Sequence, residues 1–287
     1  MKIAVSGSTG FIGKQLSDFL LRSGYELIVI SRGDFAGGCN QLAKVINSAD
    51  VIINLAGTPV LQRWNQKSKQ QILSSRIDTT RLLVEAVFQN LPEHRPKIFI
   101  NASAIGIYDN SETHDEFSTA LGTGFLATVC KAWELETLPL KDLNLRLCIV
   151  RIGMVLGSTG GSLGKMLPLF KAGLGGRIAS GKQPFSFIHI SDFCRALSHL
   201  ITNDKSTGIY NLVSPEPTTN ELFTKTLSGY LHRPSFFTVP EFALKLIYGE
   251  ASEMLTTGAC VKPARLLEEG FDFQFPGISA AVADLIV

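Results

Sequence analysis

The sequence predicts an α/β fold, a doubly wound parallel sheet with helices on both faces, together with a smaller, mostly helical lobe. Three observations predict it. Short apolar runs alternate with helix-period segments through the first half of the chain. A turn punctuated by three glycines joins the first apolar run to the first helix. After Gly153 the alternation loosens, and glycine-rich loops and proline-marked turns take over.

Residues 2–5 are a short apolar strand and residues 6–13 the glycine turn. Ile12, Leu16, Phe19 and Leu20 then recur at helical spacing, and Gly24 marks the helix end. Residues 27–30 form a second strand, with Arg32 just beyond it. A polar stretch, 33–40, leads into a short helix over 41–49. Residues 50–57 read as a buried strand ending in a small-residue turn. Residues 64–89 are helical, with Ile77, Val84, Val87 and Phe88 on one face. Strands follow at 97–102 and 145–152, with a helix over 124–138 between them. Near-continuous apolar strands joined by helices indicate a parallel sheet covered on both faces, with right-handed crossovers.

Beyond Gly153, glycine-rich loops at 157–164 and 173–181 flank a helical stretch, 166–172. Residues 185–190 read as a strand, and Ser191 or Asp192 is placed to cap the helix after it. One more strand lies at 209–213, and helices separated by prolines follow. No repeat or tether divides the chain. It reads as a single extended domain, 1–287, in which about 1–153 is mainly cofactor-binding and about 154–287 mainly a substrate lobe, the two interleaved.

Composition excludes several classes. Charged residues make up 18% and the net charge is +2, without a basic stripe, which argues against nucleic-acid and membrane-surface partners. The five cysteines are scattered with no CxxC pair, so neither a disulfide scaffold nor a metal site is expected. No leader pattern opens the chain and no apolar run reaches spanning length. The expectation is a reduced, cytoplasmic globular protein.

The strand–turn–helix–strand frame over residues 1–32 is a Rossmann-type βαβ unit built to hold a dinucleotide. Gly7, Gly10 and Gly13 let the backbone turn tightly and approach a pyrophosphate. Thr9, Phe11 and Ile12 lie along that anion at a helix N-terminus, which offers free N–H groups and a partial positive charge. Arg32 sits where a carboxylate would select NAD. A guanidinium there accommodates a 2′-phosphate and points to NADP rather than NAD, although Asp34 lies two residues on.

Gly7-x-x-Gly10-x-x-Gly13 resembles the cofactor loop of extended short-chain dehydrogenases/reductases, the NAD(P)-dependent epimerase/dehydratase group. Asn54-Leu55-Ala56-Gly57, the segment from Asn101 to Tyr108, Arg151-Ile152-Gly153, and Phe187-Ile188-His189 fall in that group's order. Further segments resemble one branch of it: Arg63-Trp64, Ser75-Arg76-Ile77, Cys130-x-x-Trp133-Glu134, Gly160-Gly161-x-Leu163 and Arg233-Pro234. Members of that branch are called epimerase family proteins, sometimes cell-division inhibitors. The resemblance implies NADP as cofactor, Leu55, Ala56 and Gly57 beside it, and Arg76 near it. As a lone residue Arg76 reads equally as a surface charge.

The sequence departs from the family in two places. Only seventeen residues separate Arg32 from Asp50, so the strand usual there is missing or reduced to Asp34-Phe35. Extended reductases also carry a tyrosine and, four residues later, a lysine on one helix face. Here the residues four after each tyrosine are Val29, Glu112, Ser214, Pro234 and Ser252. Cys130 and Glu134 stand where the pair belongs, and a carboxylate beside a thiol opposes thiolate formation. Three readings of Cys130 are open: a buried small hydrophobe, a pocket-lining residue, or a proton donor replacing the tyrosine. Ser103 is either a hydrogen-bond donor to a substrate carbonyl or a turn serine. His189, in an apolar strand, reads as a structural histidine and His114 as a surface one.

Lys165, Lys171, Arg177 and Lys182 surround the two later glycine-rich loops and form either a solvated rim or a receiver for an anionic substrate. Two functions follow. One is an NADP-dependent oxidoreductase or sugar-nucleotide-type epimerase/dehydratase acting on a small molecule. The other is a non-catalytic NADP(H)-binding sensor or regulatory protein. The expected partners are a small-molecule substrate and a second copy in a homodimer, with no nucleic acid and no membrane.

Overall fold

The computed structural model describes residues 1–286. Its first half runs β1 (Lys2–Ser6), α1 (Phe11–Arg22), β2 (Glu26–Ile30), α2 (Arg32–Ala36), α3 (Gly38–Ile46), β3 (Val51–Asn54), α4 (Gln66–Gln89), β4 (Ile98–Ala104), β5 (Thr113–His114), α5 (Phe125–Leu135) and β6 (Arg146–Ile152). The second half runs β7 (Met154–Gly157), α6 (Gly161–Lys171), β8 (Gly176–Ile178), β9 (Phe187–His189), α7 (Ile190–Thr202), β10 (Gly208–Leu212), α8 (Asn220–Tyr230), β11 (Phe237–Val239), α9 (Glu241–Tyr248), α10 (Glu253–Thr256), β12 (Cys260–Val261), α11 (Ala264–Glu268) and α12 (Ile278–Ile286). Six strands form one sheet in the order β10-β6-β4-β3-β1-β2, every pairing parallel. Strand β10, from the second half, closes one edge, so the two halves share a sheet.

The sheet forms because β-branched runs bury both faces. All four residues of β3 are buried, as are Ile3, Ala4 and Val5 of β1. Leu16 and Leu20 of α1 pack on one face, and Leu42 and Ile46 of α3 with Leu83 and Val87 of α4 pack on the other. Each such fully buried side chain contributes about 1.5–3 kcal/mol. Helix α1 ends at Arg22 with Ser23 as its C-cap, and Gly24 takes the left-handed conformation (φ +82°) that the turn into β2 requires. A third apolar cluster, built on Phe170, Phe185, Phe187 and Phe223, holds α6, α8, β9 and α12 together.

Several expected boundaries move. The shortened segment after β2 contains no strand: Asp34 and Phe35 lie in α2, and β2 is the sheet edge, with Val29 half exposed. The cause is local. Ser31 accepts from the Asp34 N–H, and the Asp34 carboxylate accepts from the Ser31 N–H, a reciprocal cap that starts a helix. Helix α3 begins at Gly38, ahead of Gln41. Phe88 lies on the outer side of α4, whose buried face is Ile72, Arg76, Thr80, Leu83, Val84 and Val87. The loop expected at 157–164 is partly α6. Neither Ser191 nor Asp192 caps α7. The His189 ring accepts from the Ser191 N–H instead, and Asp192 accepts from the N–H groups of Gln274 and Phe275.

Candidate functional site

The chain leaves β1 toward β2 on one side, while β3 flanks β1 on the other. The strand order therefore reverses between β1 and β3, and a crevice opens beyond their carboxyl ends, where sheets of this kind take ligands. A polar ladder ties these ends together. Ser6 Oγ donates to Asn54 Oδ1 (2.6 Å), and Asn54 Nδ2 donates to Asn101 Oδ1 (2.8 Å) and Thr80 Oγ1 (2.8 Å). Leu55 N–H donates back to Ser6 Oγ (3.2 Å), and Ala56 N–H to Asn54 Oδ1 (3.3 Å). The ladder thus fixes the turn Leu55-Ala56-Gly57 over the crevice.

The glycine turn packs directly on it. Gly7 has φ +73°, and a Cβ there would lie 2.7 Å from the Leu55 carbonyl oxygen. A Cβ on Gly13 would overlap the Gly7 carbonyl. Gly10 is the N-cap of α1 and no side chain caps that helix, so its first-turn N–H groups face the exposed Thr9–Gly10 loop. Phe11 turns the other way, and its ring fills the space left by Gly157, Gly160 and Gly161. Ile12 packs against the core. The cradle has the shape and polarity an anionic dinucleotide needs: close backbone, free donors and no competing carboxylate side chain in the first turn.

Arg32 is the first residue of α2 and is exposed. Asp34 is engaged with Ser31, whose hydroxyl and N–H hold its carboxyl below the usual range. Arg76 is buried. Its guanidinium donates to the Ile72 carbonyl (3.0 Å) and the Thr58 carbonyl (3.1 Å) and lies over the Trp133 ring. A Cβ on Gly57 would meet this guanidinium at 3.0 Å, so Arg76 supports the Leu55–Gly57 turn from behind. Burial lowers its pKa, with the neighbouring Cys130 acting in the opposite sense.

The second half of the site is a buried polar chain. Ser103 and Arg151 are register partners on β4 and β6, and Glu134 on α5 lies against both. Ser103 Oγ donates to Glu134 Oε1 (2.6 Å). Arg151 donates from Nε to Oε1 (2.9 Å) and from NH2 to Oε2 (2.9 Å), a bidentate clamp. Its remaining NH1 donates to the Tyr108 hydroxyl (2.9 Å), which in turn lies 2.9 Å from both the Asp115 carbonyl and Asn211 Oδ1. Burial opposes the charge on Arg151, but its hydrogen bonds to the Glu134 carboxylate and that group's charge outweigh it and the pKa rises. Cys130 is buried beside Ser103 and Glu134, and its thiol is pushed up to about 11, by burial first and Glu134 second. It is therefore a neutral thiol near pH 7.

The family model described as the NAD dependent epimerase/dehydratase family matches residues 3–212. The chain belongs to the NAD dependent epimerase/dehydratase family. A domain of unknown function (DUF1731) matches residues 239–285. The epimerase family protein SDR39U1 of Mus musculus is 35% identical over 295 residues, covering 100% of both chains. The chloroplastic SDR39U1 homolog of Arabidopsis thaliana is 34% identical, covering 98% of this chain and 86% of its own. The crystal structure of human SDR39U1 isoform 2 with NADPH superposes with a TM-score of 0.93 at 33% identity, covering 100% of this chain and 99% of that one.

Lys131 points away from Cys130 and donates to the Gly122 carbonyl (2.8 Å). Tyr108 is buried and its phenol pKa is raised, chiefly by burial. His114 is fully buried, against expectation, because it stacks on Tyr108 and its Nε2 meets Asp109 Oδ1 (3.1 Å). His189 is buried, with Nε2 3.2 Å from Asp284 Oδ2, and burial holds its pKa below the usual value. Arg177 is taken up by Glu221 (3.7 Å) and Thr238 Oγ1 (3.2 Å), and Lys225 shares the same Glu221 (2.9 Å). Lys165 and Lys171, both exposed, are spread roughly 9 Å apart along the α6 axis. Among the described residues no group of three His, Cys, Asp or Glu could hold a metal, and no helix is long and apolar enough to cross a membrane.

The Ser103–Glu134–Arg151 chain is what sequence reasoning missed. One signal was present: an arginine inside the apolar strand 146–152 demands a buried anion. The Ser31-x-x-Asp34 cap was also readable from its spacing.

Proposed function

We propose that this protein is an NADP-dependent oxidoreductase or epimerase of small molecules, with its reacting centre between Ala56, Ser103 and Met154. One observation carries the reading. The uncapped, glycine-framed turn into α1 leaves β1 at Ser6, whose register partner Ile30 ends β2 two residues before Arg32, while the acidic residue that could oppose a phosphate there, Asp34, is committed to its own helix cap. The human relative crystallised with NADPH supports the same cofactor. Gly7, Thr9, Gly10, Phe11, Ile12 and Gly13 would hold the pyrophosphate through the backbone, and Arg32 the 2′-phosphate. Leu55, Ala56 and Gly57 would border the nicotinamide side, with Arg76 acting through that turn. Bound there, the dinucleotide supplies hydride chemistry. The chain supplies position, a polar group at Ser103 and a neutral thiol at Cys130. The free cysteines fit a reducing compartment, the cytoplasm.

Fluorescence titration of NADPH and NADH against wild type and Arg32→Ala tests the cofactor. A charged hydrogen bond is worth about 1.5–3 kcal/mol, so loss of Arg32 should weaken NADPH by roughly 10–150-fold and leave NADH unchanged. Equal weakening of both, or none, refutes the role of Arg32. A second reading, a non-catalytic NADP(H) sensor, is favoured by one observation: Glu134 stands at the family's lysine position with its carboxylate held by Arg151 and Ser103. Nucleotide binding without turnover across an alcohol and carbonyl panel would favour it.

A further inference from the structure

Helix α9 turns its apolar side to solvent. Among its described residues Leu244 alone is buried. At about 100° per residue, Phe242 and Leu246 both lie roughly 160° from Leu244, on the outward side. They are 74% and 75% exposed, and Ile247 is 60% exposed. Phe236 and Phe237, just before the helix, are 90% and 56% exposed. A helix of eight residues with one buried side chain does not sustain itself in water. It is pinned instead from the first half of the chain. Arg63 donates to the Leu246 carbonyl (3.1 Å), and Lys69 pairs with Glu250 in the turn Gly249–Ser252 that follows. The fold thus holds an apolar stripe in place, facing outward.

Its size and its charges both fit a second copy. At roughly 150–250 Å² per aromatic side chain, the three phenylalanines expose roughly 330–550 Å² before Leu246 and Ile247 are added. That reaches the largest apolar patch of an ordinary monomer, about 300–600 Å². A standard interface takes about 800 Å² from each partner, so this stretch can supply its apolar centre. Glu241 and Lys245 lie together on one flank of the stripe, paired at 2.9 Å and both exposed. A twofold axis across the middle of the stripe lays α9 antiparallel to its copy, with both charged flanks on the same side. Each Glu241 then faces Lys245 of the second copy, and each Phe242 meets Leu246 of the second copy. A parallel arrangement puts the charged flanks on opposite sides and loses this match.

We propose that α9 is the face through which two copies of this chain pair, antiparallel about a twofold axis through the Phe242–Leu246 stripe. The proposal is independent of the cofactor reading. Phe242 and Leu246 supply the apolar contact, and Glu241 and Lys245 set the direction of the pairing.

Analytical ultracentrifugation of the full chain over roughly 1–100 μM tests it. Wild type should sediment at twice the 31.2 kDa chain mass. Phe242→Arg places a charge at the centre of the contact and should weaken the dimer at least about thirtyfold, while the circular dichroism of the folded chain is kept. Glu241→Lys alone and Lys245→Glu alone each set like charges face to face, and each should weaken self-association about fivefold or more. Mixed one to one, these two variants should pair with each other, so that an affinity tag on one captures the other. The double variant Glu241→Lys/Lys245→Glu should return to within about threefold of wild type. The charge variants decide the matter should Phe242→Arg fail to fold. A wild type that stays monomeric throughout, a folded Phe242→Arg that dimerises like wild type, or single charge variants that ignore each other when mixed would each overturn the proposal. So would a monomer that floats with uncharged phosphatidylcholine vesicles, which would assign the stripe to a lipid surface.

Discussion

Replacing Arg151 by methionine isolates the electrostatics of the buried chain. Methionine keeps the stem and the packing volume but removes three donated hydrogen bonds, two to Glu134 and one to Tyr108. The Glu134 side chain is 13% exposed and that of Arg151 5%, so water cannot replace the lost partner. Removing one member of a buried ion pair costs about 3–5 kcal/mol, because the other charge stays buried without compensation. Arg151→Met should therefore lower the urea-unfolding free energy by about that amount and the melting temperature by roughly 6–15 °C. The double variant Arg151→Met/Glu134→Gln removes both charges and should recover at least about 2 kcal/mol of the loss. Trp133, buried one residue from Glu134, reports the transition by its fluorescence. A single variant that costs less than about 1 kcal/mol, or a double variant no more stable than the single, would refute the view that Arg151 exists to compensate Glu134.

Three further predictions follow from local geometry. Gly13→Ala places a methyl group into the Gly7 carbonyl, so it should cost about 1–3 kcal/mol in denaturant unfolding and displace the cradle, weakening NADPH affinity at least tenfold; retained affinity would mean that the turn is not the phosphate site. Iodoacetamide at pH 8 should modify the partly exposed Cys39 and Cys260 and spare Cys130, whose thiol is buried and pushed up to about 11; peptide mass spectrometry reads this, and rapid labelling of Cys130 contradicts it. His189 is held below its usual pKa by burial, with Asp284 and Asp192 partly opposing, so the native state binds fewer protons than the unfolded chain. Stability from this group is complete above about 6.5 and is lost as pH falls below it. His189→Asn, which retains an acceptor for the Ser191 N–H, should flatten the acid-side fall in urea midpoint between about pH 7 and 5; parallel curves would exclude His189 as the cause.

The order of strands and helices in residues 1–153 was legible because each element carries its own period. The run at 51–54 is apolar throughout, and α1 repeats Leu16 and Leu20 on one face. The glycine turn was legible for a related reason: only glycine meets the positive φ at Gly7 and the close approach at Gly13. The loss of a strand after Arg32 was legible from the short spacing, but the helix that replaces the expected polar stretch was not, because it is started by a reciprocal cap between Ser31 and Asp34. His114 was misjudged because its neighbours in sequence are polar, whereas its neighbour in space is the Tyr108 ring.

By itself, then, the sequence determined a dinucleotide-type βαβ opening, a parallel sheet, an arginine just beyond the second strand and the absence of a Tyr-x-x-x-Lys pair, since all of these are statements about near neighbours along the chain. Only the tertiary structure decided what surrounds Ser103. Ser103, Glu134 and Arg151 are separated by 31 and 17 residues in sequence and meet because β4 and β6 pair in register and α5 docks across them. Read from spacing alone, Glu134 is a charge that works against Cys130. In the fold it is a neutralised, immobilised acceptor behind Ser103, because a buried carboxylate is stable only where an arginine from another strand reaches it.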